Sequence, residues 1–172
     1  MTSTRLIKEK FERNAKVVEL RPARGRSTSA AKIRLRDGLT CDIEEGRWKL
    51  VADLGGDSGG EDQGPAPGVY ARAALGSCLA ITIAQWGATL GVTIDDLEVE
   101  VASDVDAAGA YGVAEIPPGY SQVRCTVTIK SPAPEKEIRR MVDVATDRCL
   151  VWDVFARAVD VKQDLRIVAA QE

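Results

Sequence analysis

Residues 65–91 read PAPGVYARAALGSCLAITIAQWGATLG, a run whose single charge is Arg72. Pro67 suits the first turn of a helix, where a missing N–H costs nothing, and Gly91 suits its end, where the chain takes a left-handed turn. Between them, Val69 to Leu90 distributes Val, Tyr, Ala, Leu, Cys, Ile and Trp around most of the helical circumference. A helix apolar on nearly every side must be covered on nearly every side, so the rest of the chain is expected to wrap around this one. Arg72, Ser77, Thr82 and Gln85 interrupt the run, which leaves it short of the roughly 18 continuous apolar residues of a membrane span. No membrane association is expected.

Upstream, residues 55–68 (GGDSGGEDQGPAPG) hold six glycines and no apolar periodicity and read as a loop. Before it, Ala31, Ile33 and Leu35 alternate with Lys32, Arg34 and Arg36, and the alternation resumes after Asp37-Gly38 at Leu39, Cys41 and Ile43. This pattern predicts a β-hairpin with Arg36-Asp37-Gly38 as its loop, Gly38 at positive φ, Leu35 facing Leu39 and Ile33 facing Cys41, which becomes a packing residue. A third strand is expected from Arg47 to Ala52. Downstream, Asp96 to Ala102 and Gln122 to Lys130 alternate as strands, the second with Val123, Cys125, Val127 and Ile129 on one face, so that Cys125 is expected in the core. Pro134, Glu135 and Glu137 open a helix that buries Ile138, Met141, Val142, Ala145 and Cys149. A short helical turn follows, and Val159, Val161, Leu165 and Ile167 are expected to close the chain as a strand. The predicted order is β-β-β-α-β-β-α-α-β.

The 172 residues include four cysteines and no histidine, with a net charge of -3. The length suits one domain with a real core. The missing imidazole excludes Ser-His-Asp and Cys-His catalysis and every zinc site that needs His. A slightly acidic chain with no dense basic tract argues against nucleic-acid binding. The first residues, MTSTRLIKEKFERN, carry charge throughout and contain no signal-peptide core, so a cytoplasmic location is expected, and in a reducing cytosol the cysteines stand as free thiols. Two motifs are coincidental. Gly56-Asp57-Ser58-Gly59-Gly60 spells the nucleophile loop of trypsin-like proteases, but without histidine that triad cannot form; Asp104-x-Asp106 resembles the start of a calcium loop that lacks its closing glutamate and reads as a polar turn.

The thiols remain. On periodicity alone, Cys78 and Cys149 are small core residues. Their surroundings say more. Pro65-Ala66-Pro67, then Ala73-Ala74-Leu75-Gly76-Ser77-Cys78-Leu79-Ala80, then a second cysteine about seventy residues on in a helix, together with the order of elements, resemble the OsmC-like proteins, which include the organic hydroperoxide resistance proteins. The resemblance covers nearly everything after residue 15. It implies one OsmC-like α+β domain over residues 1–172, with 1–14 as an N-terminal arm or helix, and with antiparallel sheets packed around two long central helices in an intertwined homodimer whose active sites lie at the subunit interface. It further implies a thiol peroxidase in which Cys78 is the peroxidatic and Cys149 the resolving thiol. The substrate is then a small organic hydroperoxide and the reductant an external dithiol. That chemistry needs no metal, cofactor or histidine.

This chain departs from the family at two points. Gly68 stands where the peroxidases have a glutamate that pairs with an arginine to stabilise the thiolate, and Leu150 follows the second cysteine where many members have proline. Arg24, Arg26, Arg36 and Arg47 are the candidates for the arginine. Burial alone raises a thiol's pKa, so a guanidinium near Cys78 matters to the reading. The rival reading is a non-enzymatic dimer of the same fold that binds a small apolar or lipid-like ligand, with Tyr70, Trp86, Trp152 and Phe155 as candidate lining.

Overall fold

The computed structural model describes residues 3–169. Its elements run α1 (Thr4–Leu20), β1 (Lys32–Leu35), β2 (Cys41–Glu45), β3 (Trp48–Ala52), α2 (Pro67–Leu90), β4 (Asp96–Val105), α3 (Ala107–Ala110), β5 (Tyr120–Lys130), α4 (Glu135–Asp147) and α5 (Leu150–Ala156). β1-β2-β3 form one antiparallel sheet and β4-β5 another. The class is α+β.

α2 starts at Pro67 and ends at Gly91, whose φ of 75° makes the left-handed turn expected there. By length and composition it could cross a bilayer. Instead, α1, α4, α5 and β4 all pack on it. Leu79 and Ile83 of α2, Val92 beyond it, Met141 and Ala145 of α4, and Cys149 form the buried centre. Two glycines set the approach of the neighbours: a Cβ on Gly87 would lie 2.9 Å from Ile94 Cδ1 and 3.0 Å from Met141 Sδ, and one on Gly76 would lie 3.1 Å from Val101 Cγ2. A methyl group at either place would need the neighbouring side chain to shift. On a further side, Phe11 of α1 meets Trp86 edge to face, with centroids 5.4 Å apart. α1 therefore turns the open choice of arm or helix into a helix, and it continues well past residue 14 to Leu20.

β4 and β5 confirm the alternation: Leu97, Val99 and Val101 pair with Ile129, Val127 and Cys125, so one face carries all six toward α2 and α4. The first hairpin differs. Ile33 pairs with Ile43 and Leu35 with Cys41, and Arg36 N–H donates to Thr40 O at 2.8 Å, so the loop is Asp37-Gly38-Leu39, one residue later than expected. Gly38 does take positive φ, at 66°. The slip moves partners by two residues, which keeps every side chain on its face. Alternation reports faces and not partners, and the loop's hydrogen bond decided the register.

The predicted C-terminal strand does not form. Among the described residues, those after α5 have no strand partner, and Val161 and Ile167 are 88% and 86% exposed. The pattern is that of a strand, but a strand needs an edge to pair with, and among the described residues the segment pairs with neither sheet. The three-stranded sheet is similarly open, with Ile33 57% and Leu35 61% exposed. The chain's accessible surface is 13686 Å², against about 8,200 Å² for a compact monomer of this mass.

The glycine-rich loop is held by one carboxylate. Asp53, at the end of β3 and 2% exposed, accepts from Thr40 Oγ1 (2.9 Å) and from the N–H groups of Leu54 (2.7 Å), Glu61 (3.2 Å) and Gln63 (3.1 Å). Gly60 passes so close above it that a Cβ would fall 1.9 Å from Leu54 O. Tyr70 then donates to Val51 O at 2.6 Å and ties α2 to β3. Burial pushes the Asp53 carboxyl up, but the donors from Gln63, Leu54, Thr40 and Glu61 outweigh it and hold the group below its usual value of 3.8. A carboxyl lowered in the folded state stabilises above its unfolded pKa and loses that contribution as pH falls through the lowered value. Thermal unfolding followed against pH should show wild type losing stability below about pH 3.8, with Asp53→Asn less stable at neutral pH and lacking that acid limb. An unchanged acid limb in the variant would contradict this account.

Candidate active site

Cys78 lies in the middle of α2, half-buried, on the side that packs against the core. Cys149 is 1% exposed and belongs to that core. Its position corrects the sequence expectation: α4 ends at Asp147, and Cys149 is the N-cap of α5, in the joint between the two helices. The apolar spacing continued through the joint although the helix did not. The two thiols are neighbours: Cys78 packs against the buried cluster that holds Cys149 and raises its thiol. Burial pushes the Cys149 thiol up from its ordinary 9.0. The Trp152 and Val151 N–H groups face the sulfur and pull the other way, while the Cys78 side chain pushes it up again; the net direction is up.

The four arginines of the sheet region sit elsewhere. Arg36 pairs with Asp42 at 3.2 Å, Arg47 lies 4.6 Å over the Trp48 ring, and Arg24 and Arg26 flank an exposed turn after α1. The guanidinium beside Gly68 is Arg72, which the sequence showed only as an interruption of an apolar run. It is half-buried and donates to Ser103 Oγ at 3.3 Å, and a Cβ on Gly68 would lie 3.4 Å from its Nη1 and 3.2 Å from Tyr120 Oη. A side chain at position 68 therefore points between Arg72 and Tyr120. With glycine there, Tyr120 Oη donates to the Gly68 carbonyl at 3.4 Å.

One helical turn from each thiol, neither of which lines it, is a cavity of about 620 Å³ walled by Leu75, Val123, Cys125, Trp152, Val154 and Phe155 together with the polar Ser121 and Gln122, with Tyr120 stacked on Phe155 at 6.4 Å. Leu75 precedes Cys78 by one helical turn, and Trp152 follows Cys149 by one. Of the four aromatics expected to line a pocket, Trp152 and Phe155 do. Trp86 is engaged by Phe11, and Tyr70 by β3. Cys41 is half-buried on β2, paired with Leu35 of β1 and Ala52 of β3. Asp104 is paired with Arg124, and Asp106 caps α3 through Ala108 N–H at 2.9 Å, so the calcium-like residues are structural.

The raised Cys149 thiol carries a stability signature. A group whose folded pKa is raised contributes fully below its unfolded value and loses that contribution as pH rises through the folded one. Wild-type stability should fall above about pH 9 more steeply than that of Cys149→Ser, and native Cys149 should resist alkylation by iodoacetamide until the protein is unfolded. Rapid labelling of Cys149 in the native protein would refute the buried, protonated thiol.

Comparison with known proteins matches residues 59–164, more than half of the chain, to the family model of the OsmC-like proteins. No curated protein matches the sequence. Among solved structures, the chain is similar to an OsmC-like protein from Mycoplasma pneumoniae, with a TM-score of 0.66 and 17% identity over 76% of this chain and 88% of that one. It is also similar to an organic hydroperoxide resistance protein OsmC from Legionella pneumophila, with a TM-score of 0.59 and 20% identity over 79% and 94%. An OsmC-like hydroperoxide resistance protein from Jannaschia sp. gives 0.51 and 20% over 80% and 91%. Cys78 and Cys149 lie wholly inside the matched region, on the helix and the helix joint around which this fold is built, and the chain belongs to the OsmC-like protein family.

Proposed function

We infer that this protein is a cytoplasmic Cys-based thiol peroxidase that reduces organic hydroperoxides in oxidative stress defence and works as a homodimer. The adjacency of Cys78 and Cys149 carries the reading. In the reaction, the Cys78 thiolate attacks the hydroperoxide, the O–O bond breaks, and the alkoxide takes a proton and leaves as an alcohol, with Cys78 as sulfenic acid. Cys149 then attacks the Cys78 sulfur, releasing water and closing a disulfide, which an external dithiol reduces by exchange. The apolar cavity beside the pair suits a hydroperoxide with an apolar tail, and two neighbours named hydroperoxide resistance proteins support the same class of substrate.

A homodimer accounts for what one chain leaves uncovered. The excess surface, the open face of the three-stranded sheet and the unpaired alternating segment after α5 are what an intertwined partner of the same sequence would cover. The cavity also supports a second reading, a dimer that binds an apolar ligand without turnover.

The two readings give different results with cumene hydroperoxide and dithiothreitol. Wild type should consume the hydroperoxide, Cys78→Ser should fall to the uncatalysed background, and Cys41→Ala should lose stability while keeping the rate. Wild type that leaves hydroperoxide untouched would falsify the peroxidase and favour the ligand-binding dimer. Light scattering should give twice the chain mass; a monomer would remove the dimer from either reading.

A further inference from the structure

Gly68 leaves an empty place between two hydrogen-bond donors. A Cβ there would stand 3.2 Å from Tyr120 Oη and 3.4 Å from Arg72 Nη1, and among the described residues nothing else beyond the backbone of its own helix and the adjoining residues comes within 4 Å. Arg72 brings a charge to that place and has no acid to meet it. It is half-buried, Nη1 donates to Ser103 Oγ at 3.3 Å, and among the described residues no carboxylate pairs with it. The acid next along β4, Asp104, is held by both arms of Arg124. A half-buried guanidinium without a counter-charge offers its planar fork of donors to an anion from outside the chain. The two donors also close one end of the cavity. Tyr120 is on its wall, Leu75 follows Arg72 by one turn on the same face of α2, and Val123 is the strand partner of Ser103; all three line the space. No residue of the wall itself carries a charge, so Arg72, directly behind Tyr120, gives a largely apolar cavity a cationic end.

We propose that the cavity takes a monocarboxylate with an apolar tail, whose carboxylate sits over Gly68 and accepts from Arg72 Nη1 and Tyr120 Oη while the tail lies along Leu75, Trp152 and Phe155. The bare backbone at position 68 is what makes the seat: a ligand oxygen can rest against the glycine Cα, where any side chain would stand in its way. Tyr120 is free to serve it, because its hydroxyl spends its proton on a long bond of 3.4 Å to the Gly68 carbonyl and gives up little by turning to a charged oxygen. The ligand's acid then stands where the resemblance puts the peroxidases' own glutamate. An alcohol or an ester of the same length fills the apolar part equally well and leaves the guanidinium without its counter-charge. The site rests on Arg72, Gly68 and the cavity and needs no turnover, so it serves a peroxidase and a non-catalytic ligand-binding dimer alike.

The test is calorimetric titration of the full-length protein at pH 7 with decanoate and, separately, with methyl decanoate, both kept below the concentrations at which they aggregate. Wild type should bind one decanoate per chain at least about tenfold more tightly than the ester, the margin of a charge-assisted pair. Arg72→Gln, which keeps a donor for Ser103 but no charge, should bind acid and ester alike, with the ester's affinity unchanged. Gly68→Glu, which puts the chain's own carboxylate in the seat, should lose the same preference with Arg72 intact, so the two variants check each other if one of them folds poorly. Wild type that binds neither probe, binds both equally, or takes up several decanoates per chain overturns the site, and so does a tenfold preference that survives in both variants. No hydroperoxide is present, so the outcome is separate from that of the peroxidase assay: a chain without turnover can still show the preference, and an active peroxidase can lack it.

Discussion

The structure depends on the need to cover a helix that has no polar side. α2 cannot rest one face on a core and leave the other in water, so the chain brings it a helix at the N-terminus, a helix pair near the C-terminus and a two-stranded sheet. Glycine at the crossings with α4 and β4 lets backbones approach where a methyl group would collide. The three-stranded sheet and the tail after α5 are left open, and so is part of α2 itself, where Ile81 is 59% exposed. Uncovered apolar surface of this kind is what the proposed homodimer would cover.

That geometry also gives the thiols different surroundings. Cys78 sits on the all-apolar helix, half-buried, and Cys149 is sealed in a joint under it. In the proposed peroxidase, a resolving thiol at Cys149 would benefit from being kept protonated and out of reach, since oxidants act on exposed thiolates and a high-pKa sulfur is the stronger nucleophile once it ionises. The joint supplies this without a dedicated residue, because the break between α4 and α5 turns the sulfur inward. The missing acid at Gly68 has a structural counterpart as well: the place it would occupy lies between Arg72 and Tyr120, and the tyrosine hydroxyl now bonds the backbone there.

Much of this was legible in the sequence, and the limits have physical causes. Pro67 and Gly91 marked both ends of α2 because their backbone preferences act locally. The faces of β4 and β5 followed from alternation, which is local too. Partnership is not local: the β1–β2 register turned on a hydrogen bond across the loop, and the tail's alternation carried no information about whether an edge was within reach. The pairing of Cys78 with Cys149 came through family resemblance, while the joint that holds Cys149 was hidden because apolar spacing runs unbroken from α4 into α5. Cys125 had the pattern of a core residue and is one on its inner side. Only the packing of α5 over the end of β5 could show that the same sulfur borders a cavity.

The loop ahead of α2 shows why short glycine motifs mislead. Its chain folds back over the buried Asp53 so that three of its N–H groups reach a single acceptor, and at Gly60 the backbone passes under a ceiling formed by the Leu54 carbonyl and the Asp53 carboxylate, 1.9 Å and 2.8 Å from where a Cβ would stand. The glycine that completes the protease-like GDSGG is thus demanded by steric crowding around an anion, with no nucleophile involved. Any fold that curls a loop tightly around a sunken carboxylate meets the same demand. Unrelated chains can therefore arrive at the same five letters through shared geometry without shared chemistry.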